Sequence, residues 1–140
     1  MNIEEIVDNF GLFDDWEDRY RYLIDLGGRL PLMDEALKTE ETRVRGCMSQ
    51  VWMVARWEEG RDGNNQLFLL ADSDAQIVKG LIAVLLAIFQ GKTAEAVAAA
   101  DADIEHIFGK LGLDQHLSPN RRNGFFAMVE RIRSFTAQHR

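Results

Sequence analysis

Val51-Trp52-Met53-Val54-Ala55-Arg56-Trp57, followed a short distance on by Leu67-Phe68-Leu69-Leu70, is the stretch on which the fold class turns. The first run is crowded with β-branched and aromatic residues. The second is bulky and apolar, so both suit the pleated, half-buried surface of a sheet. Between them, residues 58–66 carry Gly60 and the turn pair Asp62-Gly63, which marks a hairpin. A hairpin set among helical patterns predicts an α+β fold, a small antiparallel β-sheet packed against several helices.

The flanking sequence supplies those helices. Residues 3–10 make a short amphipathic start. Asp14 or Asp15 can cap a second helix whose apolar residues Trp16, Tyr20, Leu23, Ile24 and Gly27 recur at helical spacing and which Gly27-Gly28 ends. Residues 31–42 are polar and acidic (Asp34, Glu35, Glu40, Glu41) and read as a loop with one helical turn. After the hairpin, Ser73 and Gln76 have capping-box spacing, with Asp74 as an alternative cap. Residues 77–89 are apolar on nearly all sides and predict a central buried helix, stopped by Gly91. Thr93 can cap residues 94–100, and 103–111 form another short helix. Ser118-Pro119 places a cap before a proline at the first helical position, and Phe125, Met128, Val129, Ile132 and Phe135 line one face of the last helix. With no repeat or long linker, residues 1–140 read as a single domain.

Composition excludes several function classes. The chain has 140 residues, 46% hydrophobic and 28% charged, with a formal net charge of −7, as a soluble globular protein would. Its longest apolar run, residues 81–89, falls far short of the roughly 20 needed to span a bilayer, so no membrane partner is expected. The acidic start Met1-Asn2-Ile3-Glu4-Glu5 is not a secretory leader, and one unpaired cysteine fits a reducing cytoplasm. No basic face is clustered for phosphate backbones, which argues against nucleic acid. No glycine-rich phosphate loop is present, and His106, His116 and His139 fit no zinc spacing. Asp72-Ser73-Asp74 lacks the further ligands of a calcium loop and is better explained by capping.

Cys47 is the only cysteine, so it can form no internal disulfide and no multi-cysteine metal site. It is either a buried small hydrophobe or a reactive thiol. Arg43 and Arg45 favour the second reading, since nearby positive charge stabilises thiolate over thiol. Gly46 allows positive φ and close approach of another molecule, and Ser49 and Gln50 are polar company for a core cysteine. From the residues alone, Cys47 can serve with His116 as base in a hydrolase or acyltransferase, or the chain is a non-catalytic binding module with a structural thiol; a third function comes from a resemblance.

The run Val44-Arg45-Gly46-Cys47-Met48-Ser49-Gln50-Val51-Trp52 resembles the cysteine motif of the SufE family, the sulfur acceptors of cysteine desulfurases. Further blocks match in order: Trp16-Glu17 to Tyr20, Leu26-Gly27-Gly28-Arg29-Leu30-Pro31, Asp72-Ser73-Asp74-Ala75 with Ile77-Val78-Lys79-Gly80-Leu81, and His116-Leu117-Ser118-Pro119 with Arg121 and Gly124. The likeness spans nearly the whole chain; only the hairpin at 58–66 looks longer than in the family. The resemblance implies a SufE-like fold and a persulfide relay on Cys47 toward iron–sulfur cluster assembly. Arg45, Gly46, Ser49, Asp74 and Arg121 would support the thiol or bind the partner. That partner would be a SufS-like or CsdA-like cysteine desulfurase, which holds the pyridoxal phosphate, and an iron–sulfur scaffold would receive the sulfur. This chain then needs no cofactor or metal of its own and no independent desulfurase activity. Lys79, early in the buried helix, reads as a packed stem with its amine in water rather than a Schiff-base residue. A sulfur sheltered at rest and exposed in the complex would reconcile the buried and reactive readings of Cys47.

Overall fold

The computed structural model describes residues 2–47 and 49–139; Met1, Met48 and Arg140 lie outside the described residues. Two strands pair antiparallel, β1 (Val51–Glu59) with β2 (Asn65–Ser73), in a register that runs from Val51 opposite Ser73 to Glu59 opposite Asn65. The hairpin therefore reaches further than the apolar runs at 51–57 and 67–70. Glu58, Glu59, Asn65 and Gln66, which read as connection, are paired strand. Only residues 60–64 turn, closed by the Gly60 N–H on Asn64 O (2.8 Å). Inward positions alternate with outward ones as the pleat requires: Val51, Met53, Leu67, Leu69 and Ala71 are buried. On the outer face, Arg56 lies over the Phe68 ring at 4.2 Å.

Helices enclose the inner face. α1 (Ile3–Gly11) and α2 (Trp16–Gly28) precede the sheet, with a 3-10 turn at Glu35–Leu37, and α3 (Gln76–Phe89) follows it. Then come α4 (Ala94–Ala102), α5 (Ile104–Lys110), the short α6 (Leu113–His116) and the long α7 (Pro119–His139). Asp15 is the α2 cap, accepting the Asp18 N–H at 2.9 Å, and Thr93 caps α4. Ile24, counted with the apolar stripe of α2, faces outward; Leu26 is buried instead. The sequence gives no sign of α6, since four residues are too few for a hydrophobic period to register.

α3 is the centre of the core, as its all-round apolarity predicts: from Ile77 to Phe89, nine of its side chains or α-carbons are buried. It packs closest on α2, where Gly27 meets Gly80. A Cβ on Gly27 would lie 2.7 Å from Gly80 N, and one on Gly80 would collide with the Leu23 carbonyl. Only two glycines let these helix backbones approach so nearly. The expected caps of α3 are not formed. Ala75 is the N-cap residue and no side chain caps the helix; Ser73 ends β2, its Oγ accepting the Ala75 N–H at 3.2 Å.

Each edge of this two-stranded sheet is paired over part of its length, where an exposed edge would otherwise leave main-chain groups unpaired. Past α3, the Gln90 side chain brackets Leu69 with two hydrogen bonds (2.7 and 2.8 Å), and Lys92 O accepts the Leu67 N–H at 2.8 Å. Along β1, the segment before the cysteine pairs back: the Met53 N–H bonds Thr42 O and the Val44 N–H bonds Val51 O, each at 2.8 Å, flanking a bridge between Arg43 and Trp52. Cys47 thus sits on a short loop whose two limbs are tied by the sheet. Among the described residues, no helix is long and apolar enough to cross a membrane.

Candidate functional site

In the cysteine loop, residues 45–50, Gly46 and Cys47 lie against α7. Gly46 takes φ +90°, the left-handed region that its lack of Cβ permits and that turns the chain toward the helix. The Cys47 thiol donates a long, weak hydrogen bond to the Gly124 carbonyl, at 3.6 Å. A Cβ at position 124 would lie 3.6 Å from Sγ, in ordinary van der Waals contact with it.

Beside the sulfur is a cavity of about 410 Å³. Its floor is apolar and buried: Val78 and Leu81 from α3, Phe125 and Met128 from α7. Its mouth is polar, formed by Ser49 of the loop with Ser118, Asn120 and Arg121 at the start of α7. Ser118 also caps that helix, its Oγ accepting the Arg121 N–H at 3.3 Å. Blocks far apart in the chain, Gly46-Cys47 with Ser49, Val78 with Leu81, and Ser118 with Arg121 and Gly124, therefore converge around one thiol.

Asp74 joins them from outside the cavity. Its Oδ1 accepts the Gln50 N–H at 3.0 Å, and its own N–H bonds Gln50 O at 3.3 Å. The expectation that Asp74 caps α3 is overturned: its carboxylate fastens the far limb of the cysteine loop to the β2–α3 junction. Its neighbour Asp72 holds two lysines, Lys38 at 3.0 Å and Lys79 at 3.5 Å, which lower its carboxyl pKa against the opposing effect of burial. Lys79 is thus paired with Asp72 rather than free in water.

The arginines beside the cysteine in sequence do not serve it as expected. Arg43 and Arg45 both reach back to Glu40, at 3.8 and 4.0 Å, and Arg45 is 82% exposed. Burial alone pushes the Cys47 thiol above its ordinary pKa. The resting group is a protonated thiol, because desolvation penalises the anion and no cation offsets it among these contacts. The predicted arginine-stabilised thiolate is therefore not the resting state.

His116, the candidate base of a thiol hydrolase, is stacked on Trp16 with ring centroids 4.2 Å apart, and its main-chain oxygen faces the Tyr20 hydroxyl at 3.5 Å. It does not line the Cys47 cavity, and no hydrogen bond links it to the thiol among the described residues. No group of three or more metal-ligating side chains is assembled among the described residues. Two participants escape a reading of the sequence. Met128 is hidden in a helical stripe as ordinary core. Arg131 of α7 reaches the loop's first limb across almost 90 residues of chain, with its guanidinium on Arg43 O (3.1 Å) and Glu41 O (2.7 Å).

Comparison with known proteins matches this chain over residues 4–136 to SufE, described as the Fe-S metabolism associated domain. The chain is 47% identical over 133 residues to an uncharacterised SufE-like protein of Rhizobium meliloti, covering 95% of this chain and 93% of the relative. It is 48% identical over 132 residues to another from Rhizobium etli, covering 94% and 87% respectively. Among solved structures it is similar to the solution structure of a hypothetical protein from Thermus thermophilus, with a TM-score of 0.74 at 20% identity over 97% of this chain and 93% of that one. At that identity the likeness is one of fold.

Proposed function

The chain belongs to the SufE family, its role lies in iron–sulfur metabolism, and on that basis we propose that it accepts sulfur from a cysteine desulfurase on Cys47. The observation that carries the reading is a lone thiol on a fastened loop, half-buried against Gly124 and beside a cavity with an apolar floor. Sulfur exchange requires a thiolate nucleophile and room for a second sulfur. The resting state provides the room and withholds the thiolate, so the attack belongs to an opened loop, where water and the partner's groups can stabilise the anion.

The step balances without an oxidant. The Cys47 thiolate attacks the outer sulfur of the desulfurase persulfide, that sulfur's bond to the donor breaks, and the donor leaves as thiolate. Cys47 is left as a persulfide. When the loop closes again, the outer sulfur lodges in the cavity between Met128, Phe125 and Leu81, where reductants reach it poorly. With no second cysteine in the chain, no resolving thiol can displace it. The sulfur then passes to an iron–sulfur scaffold. Pyridoxal phosphate stays with the desulfurase, in a reducing cytoplasm, and Lys79 has no part in a Schiff base.

The test is intact mass after incubation with a cysteine desulfurase and free cysteine. The wild type should gain mass in whole sulfur atoms and Cys47→Ser should gain none. Sulfur retained by Cys47→Ser would end the relay mechanism.

A further inference from the structure

Three residues of α7 underlie the whole first limb of the cysteine loop. Gly124 accepts the Cys47 thiol; Ala127 faces Gly46 so closely that a Cβ there would meet the Ala127 methyl at 3.3 Å; Arg131 binds the carbonyls of Glu41 and Arg43. Positions 124, 127 and 131 are spaced i, i+3, i+7 and form one stripe of the helix. The loop lies along this stripe, with the sulfur at one end and the guanidinium two turns away at the other.

The two carbonyls are well placed for a forked donor. They leave the turn closed by the Arg43 N–H on Thr39 O (3.0 Å), while the ladder to β1 uses Thr42 O and the Val44 N–H instead. One guanidinium satisfies both, through Nη1 and Nη2, a geometry that a single ammonium cannot reproduce. The loop's other limb is held differently, by the Asp74 carboxylate on Gln50.

We propose that Arg131 is a positioning residue, the hinge anchor of the Cys47 loop. Opening then breaks the contacts at Gln50 and Gly124 while the Arg131 end stays fixed. The thiol swings out from a constant origin on α7 and is presented to the donor sulfur in one place rather than many. Asp74 and Arg131 both restrain the loop, but they act oppositely on sulfur transfer: Asp74 keeps the thiol in, and Arg131 aims it once it is out. The transfer half of this proposal rests on the sulfur-acceptor reading above.

The experiment measures two rates on the full chain, with thermal melting alongside. One is alkylation of Cys47 by iodoacetamide. The other is kcat/KM for persulfide gain from a cysteine desulfurase and free cysteine, with this chain as the varied substrate. Arg131→Gln should be alkylated about tenfold faster, because a loop released at its hinge has many more open arrangements (a tenfold shift is about 1.4 kcal/mol toward opening), while its kcat/KM falls about tenfold. Asp74→Ala should raise both rates. Arg131→Lys, which keeps the charge but not the fork, should lie between wild type and Arg131→Gln in both. The proposal is overturned if Arg131→Gln matches wild type, or raises both rates as Asp74→Ala does. If Arg131→Gln does not fold, Arg131→Lys decides, and wild-type rates there overturn it. A wild type that gains no sulfur sinks the acceptor reading instead, and the alkylation rates then test the anchor alone, with equal rates in Arg131→Gln and wild type rejecting it.

Discussion

Removing the Asp74 carboxylate should make Cys47 more accessible without unfolding the protein. The bond at stake is Gln50 N–H to Asp74 Oδ1, at 3.0 Å and in an exposed setting. A hydrogen bond to a charged group contributes about 1.5–3 kcal/mol, but exposure to water and salt brings this one toward about 1 kcal/mol. The companion bond, Asp74 N–H to Gln50 O at 3.3 Å, is main chain and survives substitution. With RT near 0.6 kcal/mol, Asp74→Ala should therefore shift the loop's opening equilibrium about fivefold. Asp74→Asn keeps a neutral acceptor and should give about half that energy, roughly a twofold change. The assay is the pseudo-first-order rate of Cys47 alkylation by iodoacetamide at one pH, under native conditions and again in denaturant. Rates should rise from wild type through Asp74→Asn to Asp74→Ala in the native state and coincide in the unfolded one. Melting temperature should fall by only about 2–4 °C per kcal/mol in a chain near this size. Native alkylation of Asp74→Ala at the wild-type rate would refute the assignment of Asp74 as a loop latch.

Two further outcomes follow from the site. Because burial raises the folded-state pKa of Cys47, the fold favours the protonated thiol: that stability is full below the ordinary thiol range and is lost as pH rises through the raised folded value. Denaturant melts from neutral to alkaline pH should show wild type losing stability relative to Cys47→Ala, and parallel curves would contradict the buried-thiol assignment. Arg121, exposed at the cavity mouth, should tolerate Arg121→Glu with an unchanged melting temperature while desulfurase stimulation weakens; full stimulation would make it an ordinary surface charge.

What is legible in the sequence is governed by local physics. The α3 core helix, the Asp15 and Thr93 caps, the Ser118-Pro119 start of α7 and the hairpin all follow from signals within a few residues. The hairpin's ends are hidden because Glu58, Glu59, Asn65 and Gln66 are polar; strand pairing there is held by main-chain bonds and needs no burial. Asp74 misleads for a related reason. A carboxylate just before a helix has two uses, capping the turn ahead or reaching a main-chain N–H elsewhere, and only the approach of Gln50, 24 residues earlier, decides between them.

The same limit explains the thiol. Arg43 and Arg45 are its neighbours in sequence, yet the left-handed turn at Gly46 carries Cys47 down to α7 while Glu40 draws both arginines the other way. The cation that shapes the loop is Arg131, and it acts on carbonyls rather than on sulfur. A site built this way separates two demands that conflict in one geometry. A thiol poised as thiolate at rest would react with any passing electrophile, whereas the proposed relay keeps it protonated beside an apolar cavity until the loop lifts. On that proposal reactivity belongs to the opened state, and the residues that control it are those holding Glu41, Arg43 and Gln50 rather than those touching the sulfur. Substitutions at Asp74 and Arg131 should for that reason change the rate of sulfur capture more than any substitution in the cavity floor that preserves its volume.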